Sequence, residues 1–366
     1  MTSDKQQKPK LYTAIEIFAG LAIVLTLVPL IAIDYWWIRV FDFPHIQLTI
    51  LTMVAFILFF IQFKWNCWQD YVVAAGLAAC FVFQYTKIHS YLPYAEKDVN
   101  TTSDSYQGDI IKIYTANVLQ KNKKPAQLQQ YIDTTTADIL LFMETNLEWQ
   151  DDIKKVLPSA YRYQVEVPLD NTYGVLLYSR LELVDPRVRY LVDDSIPSID
   201  SRVVMKNGSE FQLYVLHPTP PMPQHNPSSS DRDAEMMKYA NLSRESKLPV
   251  VALGDFNDVP WSATVSLFQS VGELLDVRKG RGFYNTFNAK NFLMRWPLDH
   301  VFVSSEFRVK DFNTGADINS DHYPTYTELS FEPAIKDEQR PTPPTKEELK
   351  RAKEQAQGIR KVELDY

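Results

Sequence analysis

The chain opens with three long apolar runs separated by short polar breaks, and then changes its period. Residues 12–34, YTAIEIFAGLAIVLTLVPLIAID, are apolar but for Glu16 and the closing Asp34; residues 45–63, HIQLTILTMVAFILFFIQF, and 71–92, YVVAAGLAACFVFQYTKIHSYL, follow at short intervals. A bilayer is crossed by about 20 helical residues, so the pattern predicts an N-terminal bundle of about three transmembrane helices. Residues 93–108 are polar and turn-rich and read as a linker. Beyond them, short apolar runs recur, each ending in polar residues: DIIKIYTANV, ADILLFMETN, YGVLLYSR, FQLYVLHPTPP, LPVVALGDFND and LDHVFVSS. These are rich in β-branched and aromatic residues and predict strands covered on both faces. Residues 124–136 and 231–246 suit intervening helices. The expectation is an α/β or α+β domain with a sheet core over residues 109–331. After it comes a charged tail, 332–366, that reads as disordered or as a lone polar helix.

Tyr35, Trp36, Trp37, Trp65 and Trp68 fall at the ends of the apolar runs, where amphipathic rings favour the headgroup region. A cleaved signal peptide fits poorly, because the first run is long and two more follow it. Lys5, Lys8 and Lys10 precede the first run, whereas only Arg39 and Lys64 lie in the next two breaks. This bias favours an inside N terminus at the plasma (inner) membrane of a multi-pass protein. Three crossings then put the following domain on the outer, periplasmic face.

Composition narrows the chemistry. Both cysteines, Cys67 and Cys80, belong to the apolar part of the 366-residue chain, so the C-terminal region has neither a disulfide framework nor a thiolate nucleophile or metal site. Residues 93–332 carry 24 Lys and Arg against 33 Asp and Glu, a formal charge of −9. Unselective binding to duplex DNA relies on neutralising phosphates with basic groups, and an acidic domain is poorly suited to it.

The informative residues stand where the strand patterns end. Asn117, Glu144, His217, Asp255 with Asn257, and Asp299 with His300 lie at or near such ends, and Ser320, Asp321 and His322 form one more polar triplet. Taken singly, an Asp after a strand is more often a turn residue or a helix cap. Brought together, several carboxylates repel one another unless a cation or proton intervenes, and their oxygens suit a hard divalent metal such as Mg²⁺. Histidines add hydrogen-bond donors to developing negative charge and a proton source near neutral pH. Metal-assisted hydrolysis of a phosphate ester accounts for both groups.

YTANVLQKN, DILLFMETN, YVLHPTPP, VVALGDFNDVPWS, PLDHVFVS and NSDHYP resemble, in order and in rough spacing, the endonuclease/exonuclease/phosphatase superfamily, and especially its membrane-anchored bacterial branch. The likeness covers about residues 109–331. It implies a four-layer sandwich of two packed mixed β-sheets flanked by helices. It further implies that Glu144 and Asn117 hold the divalent cation, Mg²⁺ or alternatively Mn²⁺, with Asp321 as a further ligand. Asp255 and Asn257 then activate the attacking water, His322 contacts the scissile phosphate with Asp299 orienting it, and His217 flanks the phosphate on its other side. In VVALGDFNDVPWS, a strand-like continuation would point Asp255 and Asn257 the same way, with Phe256 turned into packing and Ser262 capping a helix.

The sequence also departs from that pattern. Members that repair DNA often carry an Asp two residues after the Asn matched by Asn117; here Leu119 stands there, which counts against an abasic-site endonuclease. Residues 277–298 hold Arg278, Lys279, Arg281, Lys290 and Arg295 with no acidic group, and Arg281 and Arg278, with Arg202 upstream of His217, are candidate phosphate-binding residues. His225, in the Pro- and Ser-rich stretch after His217, reads as exposed. The substrate is then a phosphate ester of nucleic acid, inositol phosphate or lipid headgroup type. The alternatives are a lipid phosphodiesterase of the sphingomyelinase type and a catalytically silent binding module on the same fold. The bilayer enters as a partner of the N-terminal helices, and no protein partner is implied.

Overall fold

The computed structural model describes residues 10–30, 36–221 and 228–358; Lys5, Lys8, Tyr35, His225 and tail residues 359–366 lie outside them. The chain divides into two compact units, residues 1–90 and 91–366.

The first unit is helical: α1 (Lys10–Leu27), α2 (Trp36–Arg39), α3 (His45–Ile61) and α4 (Trp68–Ile88). Its core joins Ile15, Ala19 and Ala22 of α1 to Ala55 and Phe59 of α3 and Leu77 of α4, the alanines letting the backbones approach closely. Inside this core Gln84 Nε2 donates to Thr26 Oγ1 at 2.8 Å, and His45 Nδ1 lies 3.0 Å from Gln84 Oε1, so the three long helices share one buried polar chain. Two helices, Lys10–Leu27 and Trp68–Tyr91, are long and apolar enough to cross a membrane by length and composition. The expectation of three spans narrows to these two. The run 45–63 yields only 17 helical residues, starting after Pro44 and ending before Gln62, and α1 ends at Leu27.

The second unit contains β1 (Ile110–Asn117), α5 (Ala126–Thr134), β2 (Ile139–Met143), α6 (Leu147–Val156), β3 (Tyr163–Val167), β4 (Val175–Ser179), β5 (Glu182–Arg189), β6 (Ser198–Val204), β7 (Glu210–Leu216), α7 (Ser230–Glu245), β8 (Val250–Asp255), α8 (Ala263–Gly272), β9 (Leu275–Asp276), β10 (Asp299–Val303), β11 (Phe307–Thr314), β12 (Thr325–Phe331) and α9 (Lys346–Ala356). They form two six-stranded mixed sheets, ordered β11-β12-β1-β2-β4-β3 and β5-β6-β7-β8-β10-β9. Each is built around one parallel pair, β1 with β2 and β7 with β8.

Alternation along β8 shows why the strands read as continuous apolar runs. Val251 and Leu253 enter the core between the sheets with Ile113, Leu141 and Val301, whereas Val250 and Ala252 face Met236, Tyr239 and Phe268 of the helices outside. The first sheet is covered in the same way by α5 and α6, through Leu128, Ile132, Trp149 and Ile153. The order is helix, sheet, sheet, helix.

Two boundaries differ from the sequence reading. Residues 93–108 are not a free linker: Val99 enters the intersheet core, Asn100 N–H donates to Gln339 Oε1 at 2.7 Å, and Ser103 N–H donates to Glu332. The tail is not a lone helix, because α9 places Ala352 in the cluster with α7 and α8. A Thr345–Glu348 capping box starts α9. One small apolar side chain on a charged helix is a faint signal, which is why the sequence reads as solvated there.

Candidate active site

Six segments from two sheets meet at one end of the sandwich. Asn117 closes β1 and Glu144 follows β2; Asp255 closes β8, and Asp299 opens its neighbour β10, facing Asp255 across the register. His217 follows β7, and His322 lies just before β12. Parallel pairs at the centre of each sheet deliver their C-terminal ends to the same place, which is where layered sheets gather ligands.

The side chains form one cluster of hydrogen bonds and close charged contacts. Asn117 Nδ2 donates to Glu144 Oε1 at 2.9 Å and to Asp255 Oδ2 at 3.1 Å. His322 Nδ1 lies 2.8 Å from Asp299 Oδ2, its Nε2 lies 3.5 Å from Asp255 Oδ2, and His217 Nε2 is 4.0 Å from the same oxygen. Asp255, Asp299 and His322 are buried, with one ligand atom from each inside a 4.8 Å sphere of separations. Glu144 is the more open member.

Local backbone explains how the chain reaches these positions. Gly254 has φ +141, and a Cβ there would stand 2.0 Å from the Leu216 carbonyl oxygen, so only glycine lets β8 press against β7 at this point. Glu144 has φ +58, held by the Thr145 N–H bond to the Gly174 carbonyl at 3.1 Å. A Cβ on Gly174 would fall 1.7 Å from the Thr145 oxygen, a requirement that a glycine between Tyr173 and Val175 does not advertise in sequence.

Asn257 departs from the expected strand continuation. β8 stops at Asp255, and Asn257 takes φ +50, so a turn sets its direction in place of strand alternation. Its N–H donates to Asp255 Oδ1 at 3.0 Å and its Nδ2 to the Pro218 carbonyl at 2.9 Å. Phe256 is buried in the outer cluster and Ser262 Oγ caps α8 by accepting from Val265 N–H, as the sequence suggests.

Electrostatics separates the two histidines. Burial opposes charge on His322, yet Asp299 and Asp255 outweigh it and lift its pKa to about 10. Burial, reinforced by the positive charge of His322 against Asp299, lowers His217 to about 4. Burial pushes Asp255 up to about 7, with His322 opposing and Asp299 adding to the rise. Burial also raises Glu144, against its bond from Asn117 and the charge of His322. The cluster therefore offers one cationic donor, one neutral imidazole and proton-accepting carboxylates within reach of one another.

Asp321 carries the remaining carboxylate, close enough to raise the pKa of Glu144. Glu144, Asn117 and Asp321 supply oxygens of differing exposure, a donor set that suits a hard divalent cation keeping several waters. Asp255 and Asp299 are tied to His322 and to backbone donors, and so fit such an ion less well despite their spacing.

The three candidate arginines do not join the cluster. Arg278 is fully buried: Nε and Nη2 grip Asp276 at 3.1 and 3.0 Å, and Nη1 donates to the carbonyls of Pro297 and Asp299. Arg281 donates to the Val277 carbonyl. Arg202 pairs with Asp185 and Glu210 far along β6 from His217, because β6 runs antiparallel to β7 and opposes it at Gln212. A charge run in sequence does not tell a phosphate-binding guanidinium from one consumed by a buried partner. Sequence reasoning also missed Arg232, whose Nη1 donates to the Asn257 carbonyl at 3.0 Å while Nη2 lies 3.1 Å from Asp258 Oδ2.

The family model described as Endonuclease/Exonuclease/phosphatase family matches residues 114–322, more than half of the chain and all of the cluster. Among solved structures, D. rerio TDP2 complexed with a single-strand DNA product is 15% identical with a TM-score of 0.51, covering 61% of this chain and 100% of that one. An endonuclease/exonuclease/phosphatase from Bacteroides vulgatus is 19% identical with a TM-score of 0.50, covering 62% and 100%. A family protein from Bacteroides thetaiotaomicron is 22% identical with a TM-score of 0.48, covering 62% and 97%. At these identities the likeness to the D. rerio and Bacteroides vulgatus proteins is one of fold. The curated proteins give no match.

Proposed function

Because this chain belongs to the Endonuclease/Exonuclease/phosphatase family, we propose that it is a divalent-metal-dependent phosphoesterase that hydrolyses a phosphodiester or phosphomonoester by attack of an activated water. One observation carries the reading: Asn117 joins Glu144 of one sheet to Asp255 of the other, beside a histidine held between two carboxylates.

In this reading Glu144, Asn117 and Asp321 hold Mg²⁺, or Mn²⁺ in its place, and the bound ion supplies charge neutralisation at a phosphoryl oxygen. Asp255 accepts a proton from the water, and the Asn257 turn fixes the direction from which that water approaches. Asp299 keeps His322 oriented and cationic, so that its Nε2–H stabilises the negative charge that develops on the phosphate. His217, neutral, donates or accepts from the opposite side. Arg278 and Arg232 hold the backbone of the two catalytic turns and do not touch substrate.

We place the chain in the plasma membrane as a membrane-anchored bacterial member of the family, through α1 and α4. An outward-facing catalytic domain requires the 17-residue α3 to cross as well; with two crossings the domain stays on the side of the N terminus. The substrate is a phosphate ester of nucleic acid, inositol phosphate or lipid headgroup type, and the DNA-bound structural neighbour makes single-stranded DNA one arm of the test.

The test assays the full chain in detergent with Mg²⁺ or Mn²⁺, and then with EDTA, on single-stranded and duplex DNA, a phosphodiester dye, inositol phosphates and sphingomyelin, beside Glu144→Ala and Asp255→Asn. Turnover of one class that needs metal and is lost in both variants supports the reading. Folded protein that turns over none of them favours the silent binding module.

A further inference from the structure

Seven large apolar side chains are exposed among the described residues of the second unit, and four of them lie on segments that leave the active site. Phe292, Leu293 and Met294 are 84%, 72% and 47% exposed, and Leu147, three residues after Glu144, is 64% exposed. The Phe-Leu-Met tip crowns a loop rooted in the site itself. Phe287 pairs with both Trp296 and His322, Tyr323 N–H donates to the Thr286 carbonyl at 2.9 Å, and Ala289 N–H donates to the Asp321 carbonyl at 2.6 Å.

Two of the three tip amides are already bonded from within. Asn291 Oδ1 accepts from the N–H groups of both Leu293 and Met294, at 3.0 and 3.1 Å. Asn288 Oδ1 accepts from Lys290 N–H at 2.8 Å, and the Asn288 carbonyl accepts from Asn291 N–H at 3.1 Å. Internal pairing of this kind lowers the cost of moving a loop out of water, since unpaired N–H groups are expensive in hydrocarbon. Around the base, Arg295 donates to the carbonyls of Asn288 and Ala289 and lies 5.1 Å over the Tyr323 ring, and Lys290 pairs with Asp317.

We propose that Phe292, Leu293 and Met294 form a docking tip that enters a lipid surface and seats the mouth of the active site against it. The chemistry favours hydrocarbon over a nucleobase. Leu293 and Met294 have no flat π-face to stack on, which leaves Phe292 as the one aromatic ring at the tip, and the Leu293 and Met294 amides that would meet a phosphate are held by Asn291. Two helices of the same chain, Lys10–Leu27 and Trp68–Tyr91, are also long and apolar enough to cross a bilayer. The charge balance of the domain, 24 basic against 33 acidic residues over 93–332, predicts insertion driven by apolar burial with little gain from anionic lipid.

The experiment uses the full chain with Cys67→Ser and Cys80→Ser, carrying either Leu293→Cys or, as a control, Asn207→Cys in the β6–β7 turn at the far end of β7. Each is labelled with an environment-sensitive fluorophore and reconstituted into phosphatidylcholine vesicles. Expected are blue-shifted emission and several-fold stronger quenching by brominated acyl chains at position 293 than at 207. Water-like emission and equal quenching at the two positions overturn the proposal. So does shielding of position 293 by single-stranded DNA but not by lipid, which would make the tip a nucleic-acid contact. On the unaltered chain, amide hydrogen exchange over 291–296 should slow in phosphatidylcholine vesicles relative to the chain kept soluble in an amphipathic polymer. Equal exchange there also overturns it.

Discussion

Nδ1 of His322 and Oδ2 of Asp299 stand 2.8 Å apart, although His322 leads into β12 of the first sheet and Asp299 opens β10 of the second. The pair staples the two halves of the sandwich at the site and fixes which ring nitrogen faces Asp255. Asp299→Asn should therefore lower kcat by roughly 10² to 10⁴, the range for a positioned acid–base group, with KM changed much less. Loss of the Asp299 charge also lets burial pull the His322 pKa down from about 10. In the proposed mechanism the cationic form acts on the phosphate, so the alkaline limb of the pH–rate profile should move to lower pH. Steady-state kinetics across pH would show both; an unchanged alkaline limb would sink the assignment.

Arg278 should matter to stability more than its place in a basic loop suggests. Removing one member of a fully buried ion pair leaves the other uncompensated, at a cost of about 3–5 kcal/mol. Arg278→Met is expected to approach that loss in denaturant titrations, since Asp276 and the carbonyls of Pro297 and Asp299 all lose their donor. Arg202→Ala, at an exposed pair, should cost under about 1 kcal/mol. Similar losses in the two variants would contradict the burial of Arg278.

Gly254→Ala places a Cβ 2.0 Å from the Leu216 oxygen at φ +141. Strain and clash together should cost upward of about 2 kcal/mol and displace Asp255, the next residue. Activity should fall further than stability alone explains. Wild-type melting and turnover in this variant would show that β7 and β8 are looser here than the contact requires.

Glu235, buried in α7, has its pKa raised from 4.5 to about 8, chiefly by burial, with Lys238 opposing. Between these values the unfolded chain gives up the proton that the folded chain keeps, so this residue erodes stability as pH rises from about 4.5 and adds no further loss above about 8. Glu235→Gln should therefore match the wild type near pH 4.5 and exceed it at pH 8. The ceiling is about 5 kcal/mol, from 1.36 kcal/mol per pH unit. Unfolding free energies at the two pH values decide it; a gap that is equal at both, or larger at low pH, contradicts the assignment.

Much of this protein is written locally. The apolar runs that became β1, β2, β4, β7, β8 and β10 are dense enough to be read one by one, and Ser262 before an apolar stretch announces its cap. Asn117, Glu144, His217, Asp255, Asp299 and His322 are legible because a polar residue ending an apolar strand is a local event, and the order of their motifs supplies the family. What a residue meets across the molecule is not local. Arg278 and Arg281 look alike in sequence, yet only the fold decides that one of them is fully buried against Asp276. Asn257 follows the strand pattern until a left-handed turn redirects it, and Gly174 matters only because β4 lies against the segment after Glu144. α9 looks solvated until Ala352 finds the groove between α7 and α8. Sequence determined which groups could do chemistry and which runs could pack, because both depend on residue type and period. Tertiary structure alone decided which charges were cancelled by burial and which were left to act, because that depends on partners brought together from distant parts of the chain.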